Sequence, residues 1–131
     1  MAGCKILIID DDEDDVEILS EAFAQCGVDE VQYVFTAMQA FIYLEKVQQE
    51  RLPKLIITDH YLPGMTGAEF VKDLKRMDKY KQIAVIVLAS TKSEIEIEKY
   101  KQMGATDYLI KPISYDDYVK VAADMKSKVG L

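Results

Sequence analysis

Short apolar runs recur along the chain at residues 5–9, 31–35, 55–58, 83–88 and 108–110. Ile6-Leu7-Ile8-Ile9 and Val85-Ile86-Val87-Leu88 are apolar at every position. Strands with one wet face alternate, so continuous runs predict parallel strands covered on both faces. Val31-Gln32-Tyr33-Val34-Phe35 comes nearer to alternation and predicts an edge strand. Between the runs the apolar period becomes helical. Val16, Leu19, Phe23 and Cys26 share one face, as do Phe70, Val71, Leu74 and Met77, and later Tyr115, Tyr118, Ala122 and Met125.

Capping pairs mark where helices start. Thr36 is followed by Gln39, Ser93 by Glu96 and Ser114 by Asp117 at the spacing of a capping box. Gly27 and Gly104 stand where helices should stop. Ser93-Glu94-Ile95-Glu96-Ile97-Glu98 alternates as a strand would. Its capping pair, the lysines that follow and Gly104 predict a helix instead. The order is strand then helix, five times over. This predicts an α/β fold: a doubly wound, flavodoxin-like, five-stranded parallel sheet of order 2-1-3-4-5, with helices on both faces. Residues 1–131 read as one domain, without internal repeat or linker.

Composition narrows the function. A formal net charge of -7 argues against direct nucleic-acid binding, since phosphate backbones would be repelled. Two cysteines, Cys4 and Cys26, are too few for a disulfide framework and read as free thiols of a reducing compartment. No apolar stretch approaches the ~20 residues a membrane span needs. The expectation is a cytoplasmic protein with no membrane insertion.

The candidate chemistry lies at the carboxyl ends of the strands. In this topology ligands bind near the point where the strand order reverses, between the first and third strands. The first strand ends in Asp10, Asp11 and Asp12, and the third in Asp59. Gathered carboxylates repel one another unless a cation joins them, and an all-oxygen anionic set favours a hard ion such as Mg²⁺. The fifth strand runs into Lys111-Pro112, which brings an ammonium to the same edge. A metal and a lysine beside one carboxylate make a site for phosphoryl transfer, with Asp59 attacking in line.

Three segments together carry a family resemblance: Ile6-Leu7-Ile8-Ile9-Asp10-Asp11-Asp12; Leu55-Ile56-Ile57-Thr58-Asp59 with its continuation His60-Tyr61-Leu62-Pro63-Gly64-Met65-Thr66-Gly67; and Gly104-Ala105-Thr106-Asp107-Tyr108-Leu109-Ile110-Lys111-Pro112. The chain resembles the response-regulator receivers of two-component signalling over about residues 4–127. The resemblance implies a phosphoacceptor, not an enzyme. Asp59 would take the phosphoryl group. Asp10 and Asp11 would organise Mg²⁺, with Asp11 the direct ligand, Asp59 a further one and the Tyr61 carbonyl the third protein contact. Lys111 would pair with a phosphoryl oxygen, with a cis peptide before Pro112, and Gly67 would help the loop turn into the third helix. The donor would be a sensor histidine kinase or a histidine phosphotransfer protein. The fourth helix, fifth strand and fifth helix, roughly residues 94–125, would meet a downstream protein, with Tyr100, Tyr108, Tyr115 and Tyr118 as contacts or merely as packing. Without an effector segment after Leu131, the expectation is output by protein contact.

The pattern departs from the family at the end of the fourth strand. The family usually has Thr or Ser there, and ungapped counting places Ala89. Ser90, next to it, is the substitute candidate for the phosphoryl contact. The switch pair would be Ala89 and Tyr108. Tyr61 and Thr91 match positions that tune loss of the phosphoryl group, and a bulky Tyr61 predicts slow self-dephosphorylation. His60, the single histidine, reads as a loop residue. The leading alternative is a receiver-like docking module that works without phosphorylation. An aspartate-nucleophile phosphatase would need further acids after a later strand. An EF-hand would need Gly where Asp15 stands, and a flavin site would be repelled by the acids at 10–15.

Overall fold

The computed structural model describes residues 3–91 and 93–131. Its strands are β1 (Ile6–Ile9), β2 (Val31–Val34), β3 (Leu55–Thr58), β4 (Ala84–Ala89) and β5 (Asp107–Ile110). Its helices are α1 (Glu13–Gln25), α2 (Ala37–Lys46), α3 (Gly67–Lys75), α4 (Glu94–Met103) and α5 (Tyr115–Lys128), with a single 3₁₀ turn at Gln49–Arg51. The strands form one parallel sheet in the order β2-β1-β3-β4-β5, as the apolar runs predict.

Each continuous run serves two cores. Ile6, Ile8, Leu55, Ile57, Ile86 and Leu88 face α1 and α5, where Phe23, Tyr118, Ala122 and Met125 complete the packing. Leu7, Ile9, Ile56, Val85, Val87 and Ala89 face the other helices, among Leu44, Phe70, Leu74 and Tyr100. β2 is only half-buried, as its near-alternation predicts for an edge. Just beyond Val34, the Phe35 N–H donates to Gln39 Oε1 at 2.8 Å, which ties the end of β2 to the start of α2.

The caps sharpen the helix starts. Thr36 and Ser114 accept the N–H groups of Gln39 and Asp117. Asp12 caps α1 by accepting from Asp14 and Asp15. A reciprocal capping box at Thr66 and Glu69 starts α3, at a spacing the sequence reading passed over. The residues after Ser93 are helical, but Ser93 makes no side-chain cap bond, and the Glu96 carboxylate is engaged by His60. Gly104 ends α4 in the left-handed region, φ 102°, which other residues reach only with strain.

Both cysteines are free thiols, Cys4 buried and Cys26 half-buried. No helix among the described residues is long and apolar enough to cross a membrane. The Lys111–Pro112 bond is trans, against the expected cis form, as are the other described peptide bonds. The trans form is the more stable by about 0.5–1 kcal/mol for an ordinary X–Pro bond, and β5 delivers Lys111 to its partners in that form.

Candidate functional site

Register decides what meets at the sheet's carboxyl edge. Ile9 pairs with Thr58, Thr58 with Val87, and Val87 with Tyr108. The next residues therefore emerge side by side. Asp10 N–H donates to Val34, Asp59 N–H to Ile9 and Lys111 N–H to Ala89, so the ladder holds each backbone one step past its strand.

Carboxylate oxygens of Asp10, Asp11 and Asp59 lie within 4.8 Å of one another. Asp10 and Asp59 are buried and Asp11 is exposed, so the cluster opens on one side. Asp10 Oδ1 accepts the Asp12 N–H at 3.0 Å, and Asp59 Oδ1 accepts the His60 N–H at 2.7 Å. Lys111 Nζ bridges Asp10 Oδ2 at 3.0 Å, Asp15 Oδ2 at 2.8 Å and Asp59 Oδ2 at 3.1 Å. Burial pushes the Asp10 carboxyl up; the Asp12 N–H and Lys111 oppose that, and the Asp59 charge adds to it. Burial would lower the Lys111 ammonium. Hydrogen bonds to Asp15 and Asp10, the Asp10 charge and the Asp59 bond outweigh it and hold Lys111 above the usual lysine range.

One ammonium thus faces the carboxylates of Asp10, Asp15 and Asp59, and the Asp11 carboxylate joins Asp10 and Asp59 beside it. The donors are all hard oxygens and converge on one point, which suits Mg²⁺ better than a soft metal. Asp10, Asp11 and Asp59 fit such an ion by their chemistry and spacing.

The remaining predicted residues divide. Ala89 is buried at the end of β4, opposite Ile110, and offers no hydroxyl. Ser90 and Thr91 are exposed just beyond it. Tyr108 is buried, and its hydroxyl donates to the Thr91 carbonyl at 2.7 Å, so it points inward. Tyr61 is two-thirds exposed, its ring edge-on to His60 at 4.5 Å. Of the four candidate surface tyrosines, Tyr100 and Tyr118 are buried like Tyr108, and Tyr115 alone is exposed. Gly67 earns its place by close approach: a Cβ there would strike the Asp59 carbonyl oxygen and come within 2.9 Å of the Tyr100 hydroxyl.

Sequence reasoning missed two participants. Asp15 reads as an ordinary helix N-terminal acid, yet it holds Lys111, with the Tyr118 hydroxyl 3.5 Å away. Its signal is position: it lies one turn before Leu19, on the buried side of α1. His60 is no free loop residue. Its Nδ1 lies 2.6 Å from the Tyr100 hydroxyl and its Nε2 3.0 Å from Glu96 Oε2. Only its neighbour Asp59 hints at this in the sequence.

Comparison with known proteins agrees with the geometry. The family model "Response regulator receiver domain" matches residues 6–123. The two-component response regulator ORR1 of Oryza sativa is 31% identical over 118 residues, 86% of this chain. The chain spans about half of that relative's length, 51%. The phosphorylated cyanobacterial phytochrome response regulator RcpA superposes with a TM-score of 0.85 at 26% identity, covering 98% of this chain and 94% of that one. The chemotaxis response regulator CheY4 of Vibrio cholerae does so with 0.75 at 28% identity, covering 92% and 96%.

Proposed function

The chain belongs to the response regulator receiver domain family of two-component signalling, and on that premise we propose that it accepts a phosphoryl group on Asp59 from phosphohistidine of a sensor kinase or phosphotransfer protein. The supporting observation is the convergence of Asp10, Asp11 and Asp59 oxygens within 4.8 Å, with Lys111 Nζ 3.1 Å from Asp59. RcpA, the structural relative, was crystallised phosphorylated.

In this reading an Asp59 carboxylate oxygen forms the new O–P bond as the P–N bond of phosphohistidine breaks. The imidazole leaves with the bonding pair and takes up a proton. Asp10, Asp11, Asp59 and the Tyr61 carbonyl are the residues to hold Mg²⁺. When bound, the ion neutralises charge on the transferring oxygens. Lys111, kept protonated by its carboxylate neighbours, supplies a second positive charge already in position, so little reorganisation is needed as charge develops. Ser90 remains the candidate for a further phosphoryl contact. Tyr61 and Thr91 border the site and tune loss of the group. The protein is phosphorylated once and waits, so it turns over no substrate. Exposed Ile95, Ile110, Ile113 and Tyr115 give the α4–β5–α5 face an apolar surface for a protein target in the cytoplasm.

The test is incubation with acetyl phosphate and Mg²⁺, read by intact mass. Wild type gains one phosphoryl group, slow to leave, and Asp59→Asn gains none. If a cognate phosphohistidine donor also leaves wild type unmodified, the reading fails. Buried Ala89 favours a second reading, a docking module independent of phosphorylation. Target binding unchanged in Asp59→Asn would select it, and Ala89→Thr measures what the missing hydroxyl costs.

A further inference from the structure

Among the described residues, His60 is bonded at once to the phosphosite and to α4. Its backbone N–H reaches Asp59 Oδ1 at 2.7 Å. Its ring nitrogens reach Tyr100 at 2.6 Å and Glu96 at 3.0 Å. Those two partners stand four residues apart on α4, hence on one face, one turn from each other. Burial, and then the Glu96 charge, push the Tyr100 phenol up, so its hydroxyl keeps its proton beside Nδ1. Nε2–H is the donor to the Glu96 carboxylate, which can only accept. The Tyr100 ring continues the contact to Tyr108, centroids 5.5 Å apart. Its hydroxyl also lies where a Cβ on Gly67 would come within 2.9 Å, directly under the Asp59 backbone.

The path that a hydroxyl at the end of β4 would offer is missing, because Ala89 stands there, 2% exposed. We propose that His60 is a positioning residue that carries the state of Asp59 to α4, through a peptide N–H on one side and two ring nitrogens on the other. The proposal rests on Asp59 being the phosphoacceptor. The His60 N–H bond is charge-assisted while Asp59 is a carboxylate. Forming the O–P bond turns that carboxylate into an acyl phosphate, a weaker acceptor, and moves the negative charge onto the phosphoryl oxygens. The peptide at His60 then re-aims, and the imidazole moves with it. Glu96 and Tyr100 are tied to that ring, so α4 follows or lets go. Coupling of this kind runs both ways: a partner that binds the shifted α4 must alter the lifetime of the phosphorylated form.

The test is amide NMR over residues 94–103, with intact mass on the same samples, before and after acetyl phosphate with Mg²⁺. Wild type, Glu96→Gln and the double variant Glu96→Gln/Tyr100→Phe are compared. All three gain the phosphoryl group. The α4 signals shift in wild type, shift less in Glu96→Gln and stay still in the double variant, while signals near Asp10 and Lys111 respond in all. Glu96 is part-exposed, so its single variant reports even where the double variant folds poorly. A phosphorylated Glu96→Gln or double variant whose α4 responds as in wild type overturns the coupling and leaves Asp59 as acceptor. So does a phosphorylated wild type whose α4 does not move. No mass gain in wild type from any donor removes the acceptor itself, and the coupling with it.

Discussion

α5 and α4 flank the same edge of the sheet, yet they are held by different forces. α5 buries Tyr118, Ala122 and Met125 in the core it shares with α1, and Ser114 caps its start. α4 buries Tyr100 alone, begins without a side-chain cap bond and leaves Ile95 69% exposed. It is tied to the loop after Asp59 by the Tyr100 and Glu96 bonds to His60. Burial is non-directional and scales with area, so α5 gains nothing by shifting. Directional polar bonds each contribute only about 0.5–1.5 kcal/mol net and exchange for others at little cost. The helix with less apolar burial is the one with less to lose by shifting.

The contrast is testable at several magnitudes. The largest effect belongs to α5: Met125→Ala, at a fully buried position, should lower unfolding free energy by about 2–5 kcal/mol in urea titrations. An equal loss from truncating Ile95 would erase the distinction. Next comes an alkaline effect on the same side. The Tyr118 phenol is pushed up to about 12, first by burial and then by the Asp15 charge. The unfolded chain releases that proton near the ordinary value of about 10, and the folded chain holds it longer. Stability from Tyr118 is therefore complete below about pH 10 and is lost as pH rises through about 12. Tyr118→Phe should flatten the fall in the urea midpoint across that window; an unchanged slope would show that the phenol is not held. On α4, Tyr100→Phe removes only the hydroxyl bond to His60 and should cost about 1 kcal/mol. It should also speed hydrogen exchange over residues 94–103 more than over residues 115–128, a local effect that a shared core would not produce. Ile95→Ala should change stability by less than about 0.5 kcal/mol, since the side chain has little to lose.

The site was legible where chemistry sits at the end of a regular element. Asp10, Asp59 and Lys111 each stand directly after a strand. Parallel strands of similar length bring such ends to one edge, so counting along the chain locates them. Asp15 and His60 were not legible. Asp15 lies in the first turn of α1, where acids are favoured anyway, and only Lys111, 96 positions away, gives it another task. Glu96 has the spacing of a capping acid behind Ser93, but its carboxylate lies 3.0 Å from His60 Nε2, a partner 36 positions away that the spacing does not reveal. The tyrosines show the same limit. Tyr100, Tyr108 and Tyr118 are amphipathic and suit a surface as well as a core; packing put all three inside and left Tyr115 out.

By itself the chain's order of residues determined the alternation of strands and helices, the buried central strands, the edge strand and the cluster of acids with one lysine. These follow from local periodicity and from where each apolar run stops. Tertiary structure alone decided which carboxylates Lys111 bridges, that Pro112 follows a trans bond, and that the residue after Asp59 grips α4. Such contacts join positions tens of residues apart, and their geometry is set by how helices settle on the sheet, which no local spacing encodes.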